Sequence, residues 1–392
     1  MSYPWGVLAT AVLLCCYPFQ ATGQETSEPR FQPLLNGRDL TGWVLVNTPA
    51  ETWTMQDELL VCSGKPIGEL RTERMYQNFI LEVEWRHMVP GGNAGIFVWA
   101  DAITAPGVPF HRSIEVQVLD HAYGQSRGHT THGDIFPIHG ALMTPLNGRG
   151  GSRAFPVEER ALPSPQWNHY RIECRDGEIS LAVNGAVVTR GRQASPRRGY
   201  ICLESEGGVV HYRKLQIMEL PDTAIAAEDV AHSNRGDVSL YSGLDLRGWT
   251  LDENSQAHWN VEDWVLRFDG QTSAGVSTLQ HSRKFPAPAF VLDVQPEAGF
   301  RALTFNPDSA TESLTISLDD EETATLLKAG AWSRIEYGIR DGAWTVSING
   351  TALPKTSPAS AEPQGMSFRV QGPARFANLY GRSSSALDNT NQ

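Results

Sequence analysis

From Ser113 to Asp120 the chain alternates apolar and polar residues. Ile114, Val116 and Val118 fall on one face and Glu115 and Gln117 on the other, the period-two mark of a strand with one face buried. Residues 79–86 repeat the pattern, setting Leu81, Val83 and Trp85 against Glu82, Glu84 and Arg86. Turn residues punctuate these runs. Gly91-Gly92-Asn93 leads into a predicted strand at 94–100. Asp176-Gly177 and Asn184-Gly185 join strands at 170–175, 178–183 and 186–189, because both dipeptides suit the positive φ angles of tight hairpins. Helix-period runs are few. The pattern predicts an all-β protein built from antiparallel sandwiches.

The two halves of the chain repeat one another. Residues 35–43, ending at Trp43, are answered by 241–249, ending at Trp249; Trp53, Asp57 and Gly64 are answered by Trp259, Asp263 and Gly270, all at an offset of 206. Trp167, Asp176-Gly177 and Asn184-Gly185 are answered by Trp332, Asp341-Gly342 and Asn349-Gly350 at an offset of 165. Two fixed offsets mark a tandem duplication whose second copy has lost a net 41 residues. Residues 113–120 align best with 313–319, so most of the loss follows that strand, and Thr315 and Ser317 stand in for Glu115 and Gln117. The predicted organisation is a leader at 1–23, a first sandwich at 31–220, a linker at 221–235, a degenerate second sandwich at 236–382 and a disordered tail at 383–392.

The first copy alone keeps a long loop rich in His, Gly and Pro after the Glu115 strand. Five of the eleven histidines (His111, His121, His129, His132 and His139) lie in or beside it. Polar groups on the open face of a strand, next to a long loop, are how sheet proteins commonly build a site.

Composition narrows the reading. Gly 36, Pro 24 and Trp 11 in 392 residues fit a turn-rich β protein. A net charge of −12 with no Lys/Arg cluster argues against nucleic acid or an anionic lipid surface as partner. Residues 5–19 are apolar and are followed by Ala21-Thr22-Gly23, which predicts a secretory signal peptide and a secreted or periplasmic protein. A lipoprotein signal at Cys15 or Cys16 fits less well, because the preceding residue is Leu14 or a second Cys where a small residue is wanted. No later segment reaches the roughly 20 apolar residues of a membrane span. Cys62, Cys174 and Cys202 remain, and allow either one disulfide between Cys174 and Cys202 or three buried thiols.

Six motifs in order carry a resemblance: residues 35–43, Glu84-Trp85-Arg86, Gly91 to Ile96, Glu115 to Asp120, Trp167-Asn168-x-Tyr170 and Val183-Asn184-Gly185. Together they resemble the 3-keto-disaccharide hydrolase family, over about residues 31–220 in full and as an echo in the second copy. The resemblance implies concanavalin-like jelly rolls, and glycoside substrates whose C3 hydroxyl is already a ketone. The chain departs from the family at Glu204, where Gln commonly follows the Leu.

A C3 ketone acidifies the C2 proton, so a base can remove it and leave an enolate. The enolate expels the aglycone from C1, and water then adds back. Such a site needs a base, a donor or cation on the enolate oxygen and an acid for the leaving group. Glu115, His132 and His139 are the candidate bases, and Gln117 would bind hydroxyls. Glu84 and Arg86 join the set if their face is shared with Glu115, with Arg86 and Asn93 orienting the sugar. Trp99, which has no counterpart in the second copy, is the candidate stacking ring, and Asp120 and Asp134 are further contacts. No redox cofactor is needed. A divalent metal on His129, His132 and His139 is one option, and Ca²⁺ on Asp and carbonyl oxygens another.

Competing readings attach to the same residues. Glu84 and Arg86 could form a solvated cross-strand ion pair. His87, His169 and His211 read as packing or surface groups, and Trp43, Trp53 and Trp167 as core, because each recurs in the second copy. Two other functions are open. One is a retaining glycosidase, because Glu115-x-Gln117-x-x-Asp120 has the spacing of the laminarinase-like Glu-x-Asp-x-x-Glu. That reading needs a bulge and two carboxyls about 5–5.5 Å apart. The other is a non-catalytic carbohydrate-binding protein with two lectin-like modules.

Overall fold

The structure, a computed structural model, describes residues 1–2, 29–253, 255–305, 313–359 and 362–383. The predicted leader, beyond its first two residues, and the predicted tail after Ser383 lie outside the described residues. Ser383 itself ends a strand, Ala374–Ser383.

The chain forms two tandem antiparallel β-sandwiches. In the first, a six-stranded sheet runs in the spatial order Trp43–Val46, Gly68–Thr72, Tyr200–Ser205, Asn93–Ala100, Ser113–Leu119, His132–Ile138. The facing sheet is centred on Phe79–His87, between Asn168–Arg175 and Val210–Glu219. The core between them takes Leu70, Ile96, Val116 and Leu203 from one sheet and Leu81, Val83, Trp85 and Ile172 from the other. Alternation then sends Glu69, Gly95, Glu115, Gln117 and Glu204 to the outer face of the six-stranded sheet.

The second unit repeats this plan down to single hydrogen bonds. The Trp43 indole donates to the Leu34 carbonyl at 2.8 Å, and Trp249 donates to Leu240 at 2.8 Å. The Asn184 side chain accepts the His169 amide at 2.8 Å, and Asn349 accepts that of Arg334 at 2.9 Å. The hairpin residues Asp176, Asn184, Asp341 and Asn349 all have φ near +50°, as their turn type demands. Trp43, Trp53, Trp249 and Trp259 are buried. Trp167 and Trp332 are not core residues, contrary to expectation. Trp167 is half-buried between the guanidinium groups of Arg86 and Arg213, at 4.5 and 4.0 Å from its ring. Trp332 lies against Gly107 of the first unit, where φ is +73° and a Cβ would fall 2.2 Å from the indole.

The missing residues of the second copy are visible as missing elements. Its five-stranded sheet stops at Leu314–Ser317, and among the described residues nothing corresponds to His132–Ile138 or Leu142–Pro145. A short helix, Glu321–Leu326, follows instead, its N-terminus capped by Asp320.

The predicted linker is packed along the first unit. The Ala231 amide donates to the Arg198 carbonyl at 2.8 Å, Arg197 pairs with Asp229 at 3.1 Å, and the Asn234 amide donates to the Tyr200 hydroxyl at 2.8 Å. The two units are joined through buried Asp293. Its carboxylate accepts from Arg334 at 2.8 Å, from the Gly107 amide at 2.9 Å and from Asn378 at 2.7 Å, while Arg334 also donates to the Thr104 carbonyl at 2.7 Å.

Cys62, Cys174 and Cys202 are buried free thiols. Cys174 and Cys202, on strands of the two facing sheets, are not joined, so the disulfide alternative is not realised. Among the described residues no helix is long and apolar enough to cross a membrane.

Candidate active site

Three central strands of the six-stranded sheet bring acids together on its outer face. Glu204 pairs with Glu69 on one side, and its register continues to Gly95 on the other, next to Gln117. Gly95 has no side chain to fill the row. A Cβ there would lie 2.8 Å from Glu204 Oε2 and 3.0 Å from Glu115 Oε1, so both carboxyls occupy the space above it. Both are buried, Glu204 at 1% exposure and Glu115 at 7%.

Polar groups frame the pair. Gln117 donates to Asn93 Oδ1 at 3.1 Å, and Asn93 donates to Glu206. Arg153, from the loop absent in the second unit, donates to Asp134 at 2.9 Å and to Gln117 Oε1 at 3.4 Å, and covers the Phe136 ring at 3.3 Å. Asp134 is itself fixed by the Thr130 amide at 3.0 Å and by the Thr130 hydroxyl. At the far end of the row Glu69 accepts the His111 amide at 3.1 Å and holds its imidazole.

Burial dominates the electrostatics. It pushes the Glu115 carboxyl up to about 8, with Glu206, Glu69 and Asp134 adding repulsion and Arg153 opposing. Burial, followed by repulsion from Glu115 and Glu206, raises Glu204 well above the carboxylate range. Burial thus favours the proton on both carboxyls, which stand side by side above Gly95 and repel each other when ionised.

Of the residues predicted from sequence, Glu115, Gln117, Asn93 and Asp134 meet here. Glu84 and Arg86 do not. Their strand belongs to the opposite sheet, and the hydrophobic core separates them from Glu115. On that outer surface Glu84 pairs with Arg213 and Lys214, each at 2.6 Å, and Arg86 contacts His211 at 3.2 Å, so the two lie on a surface face but do not form the ion pair with each other that the alternative reading expected. Trp99 is fully buried in the core, not a sugar platform. A bulge with φ of +56° turns its ring inward, where the indole donates to the Gln77 carbonyl at 2.8 Å. Asp120 is a loop knot, accepting the Gly91, Ala122 and Ser164 amides at 2.8 to 2.9 Å, and so cannot serve as the partner a retaining pair with Glu115 would need.

The histidines separate too. His132 stacks on His121 at 5.0 Å and meets the Ala161 amide at 3.3 Å; burial, then His121, lowers its pKa to about 4. His139 stacks on Phe110 and lines a cleft of about 540 Å³ between the two units. His129 bonds the Thr130 carbonyl at 3.3 Å and edges Tyr123. The proposed His129, His132 and His139 metal trio is therefore not assembled. Two other trios are, Glu69–His111–Cys202 and His121–His132–Glu159, each with donor atoms within 4.8 Å of one another.

Glu69, Glu206 and Arg153 are not singled out by the sequence reading, and Glu204 enters it only as the departure from the family pattern. The usable signal was Glu204-x-Glu206 and Glu69-x-Arg71, charges at period two in otherwise apolar strands.

Strand register gives the matching row in the second unit as Thr278, Arg369, Thr304 and Thr315. It sets Thr315 in the place of Gln117 and Ser313 in that of Glu115, two residues from the alignment made by sequence. On either alignment the acids are gone.

No curated protein matches the chain. Among solved structures it is similar to a protein of Parabacteroides distasonis described as a candidate glycosyl hydrolase, with 18% identity over 49% of this chain and 94% of that one and a TM-score of 0.37. It is similar also to the carbohydrate-binding module CBM66 of Bacillus subtilis, with 12% identity over 46% and 96% and a TM-score of 0.33. A third is the Bacillus licheniformis beta-glucanase, with 12% identity over 50% and 100% and a TM-score of 0.33. Residues 30–218, the sandwich that carries the row of carboxyls, match the model of the 3-keto-alpha-glucoside-1,2-lyase-like domain family.

Proposed function

We propose that the first sandwich cleaves 3-keto glycosides by elimination, and that Glu115 is the base. Ionised Glu115 takes the C2 proton, and the C2–H electrons form the enolate of the C3 ketone. The enolate collapses to a C1–C2 double bond as the C1–O bond breaks. Glu204, protonated beside it, supplies the proton that the departing aglycone oxygen needs. Water adding at C1, with a proton returned to C2, completes hydrolysis. Arg153, held by Asp134, is the cation for the developing enolate oxygen. Gln117 and Asn93 offer amides to sugar hydroxyls. One observation supports this reading above the rest: two buried carboxyls, both held above the usual carboxylate range and placed to share a proton, occupy the space above Gly95. The chain reaches its substrate, in this reading, as an exported protein, on the evidence of the apolar segment 5–19.

The deciding experiment incubates purified mature protein with matched glycosides, oxidised and unoxidised at C3. Aglycone release from the oxidised member alone is expected. Release from both would point to a conventional glycosidase, and binding without release to a lectin-like role. Glu115→Gln retaining full activity on the 3-keto substrate would remove Glu115 from the chemistry.

A further inference from the structure

The segment unique to the first unit holds a second polar cluster that the reaction above leaves idle. His121 stands on a one-turn helix, His121–Tyr123, pinned by the Asp120 cap. His132 opens the strand His132–Ile138, and Glu159 comes from the loop beyond it. Three separate pieces of chain thus place two imidazoles and one carboxylate within 4.8 Å of one another.

The geometry points to a divalent transition-metal site of the zinc class, with His121, His132 and Glu159 as its protein ligands. Bonds of about 2.1 Å to a tetrahedral ion put neighbouring donor atoms about 3.4 Å apart. His121 Nε2 and Glu159 Oε1 are 3.4 Å apart. That nitrogen is buried and has no hydrogen-bond partner, which leaves its lone pair to be satisfied. The two imidazoles are stacked nearly parallel, at 16°, so metal binding requires the half-exposed His121 ring to turn out of the stack until both in-plane lone pairs meet one ion. Groups behind the ligands orient them: Thr131 Oγ1 sits 3.0 Å from His132 Nδ1, which leaves Nε2 as the ligating atom once it gives up its long 3.3 Å bond from the Ala161 amide, and Gln125 donates to Glu159 Oε2 at 3.0 Å. Glu159 is 47% exposed, so it can close the remaining gap and leave a position for water.

The other trio fits a metal poorly. Glu69 and His111 already satisfy each other, all three residues are fully buried, and burial holds the Cys202 thiol in its protonated form.

A metal at His121, His132 and Glu159 would tie the 121–132 loop to the 158–162 segment. Asp134 lies two residues beyond His132 and holds Arg153, so the clasp positions the Arg153 wall without touching substrate.

The test titrates chelator-stripped mature protein with Zn²⁺ by calorimetry and with Co²⁺ by visible absorption. One equivalent of tight binding, a Co²⁺ spectrum of nitrogen and oxygen ligation, and a rise in melting temperature are expected. His121→Ala and Glu159→Gln, both at exposed or half-exposed positions, should each weaken Zn²⁺ binding more than about 10-fold while leaving the metal-free melting temperature unchanged. Absence of uptake, uptake indifferent to both substitutions, or uptake abolished by Cys202→Ser instead would each overturn the assignment.

Discussion

Gly95 matters because it has no side chain. Gly95→Ala would place a methyl 2.8 Å from Glu204 Oε2 and 3.0 Å from Glu115 Oε1. The carboxyl ends can swing away, so the fold should survive with its melting temperature nearly unchanged. The catalytic geometry should not, and a displacement of about 1 Å can cost about 100-fold in kcat/KM. Protonation gives a second prediction. If ionised Glu115 is the base, kcat/KM rises with pH through a limb near 8. Glu206 is the largest repulsive charge on Glu115, so Glu206→Gln should move that limb to lower pH. Stability runs the other way. The folded-state pKa of Glu115 lies above its ordinary 4.5, so the folded state binds its proton more tightly, and stability falls as pH rises from about 4.5 to about 8. Thermal melts across that window should show the decline, and Glu115→Gln should make it shallower, leaving the part due to Glu204. At this scale the sequence was legible where the second copy supplied a contrast, as at Glu115 and Gln117. Glu69 and Glu204 were not legible, because a charged residue in an alternating strand looks the same whether its face meets water or a covering loop.

Periodicity assigns a side chain to a face but not to a sheet, and at the level of elements this is where the reading of Arg86 went wrong. Its alternation with Trp85 was right, but the strand lies across the core from Glu115. Glu84→Gln and Arg86→Gln should therefore leave kcat/KM within about twofold and cost at most about 1 kcal/mol, the range of partly exposed ion pairs. Trp99 failed for another reason: a bulge reversed its side, and no pattern of residue types announces a bulge. The segment after the Glu115 strand reaches the row of acids, yet the side chain it brings there is Arg153, where histidines are expected from the sequence. Arg153→Leu should lower kcat at least about 100-fold, the cost of removing one oxyanion donor, with the loop still held at Asp134 by Thr130. Steady-state kinetics on a 3-keto glycoside check all three substitutions.

The molecule as a whole is a duplication, and repeated turn residues made that plain from the sequence alone. Where the copies touch was not legible, because Asp293, Gly107 and Asn378 belong to no shared motif. Asp293→Ala would leave Arg334 buried without its partner, which costs about 3–5 kcal/mol and should appear as a lower melting temperature for the intact chain. The contact has a consequence for the silent copy. Asp293 and Arg334 grip Gly107 and Thr104, and that stretch leads within a few residues to His111, which braces Glu69. A duplicate whose matching row carries no acids thus serves as an abutment, bearing on the stretch that braces Glu69 in its sibling.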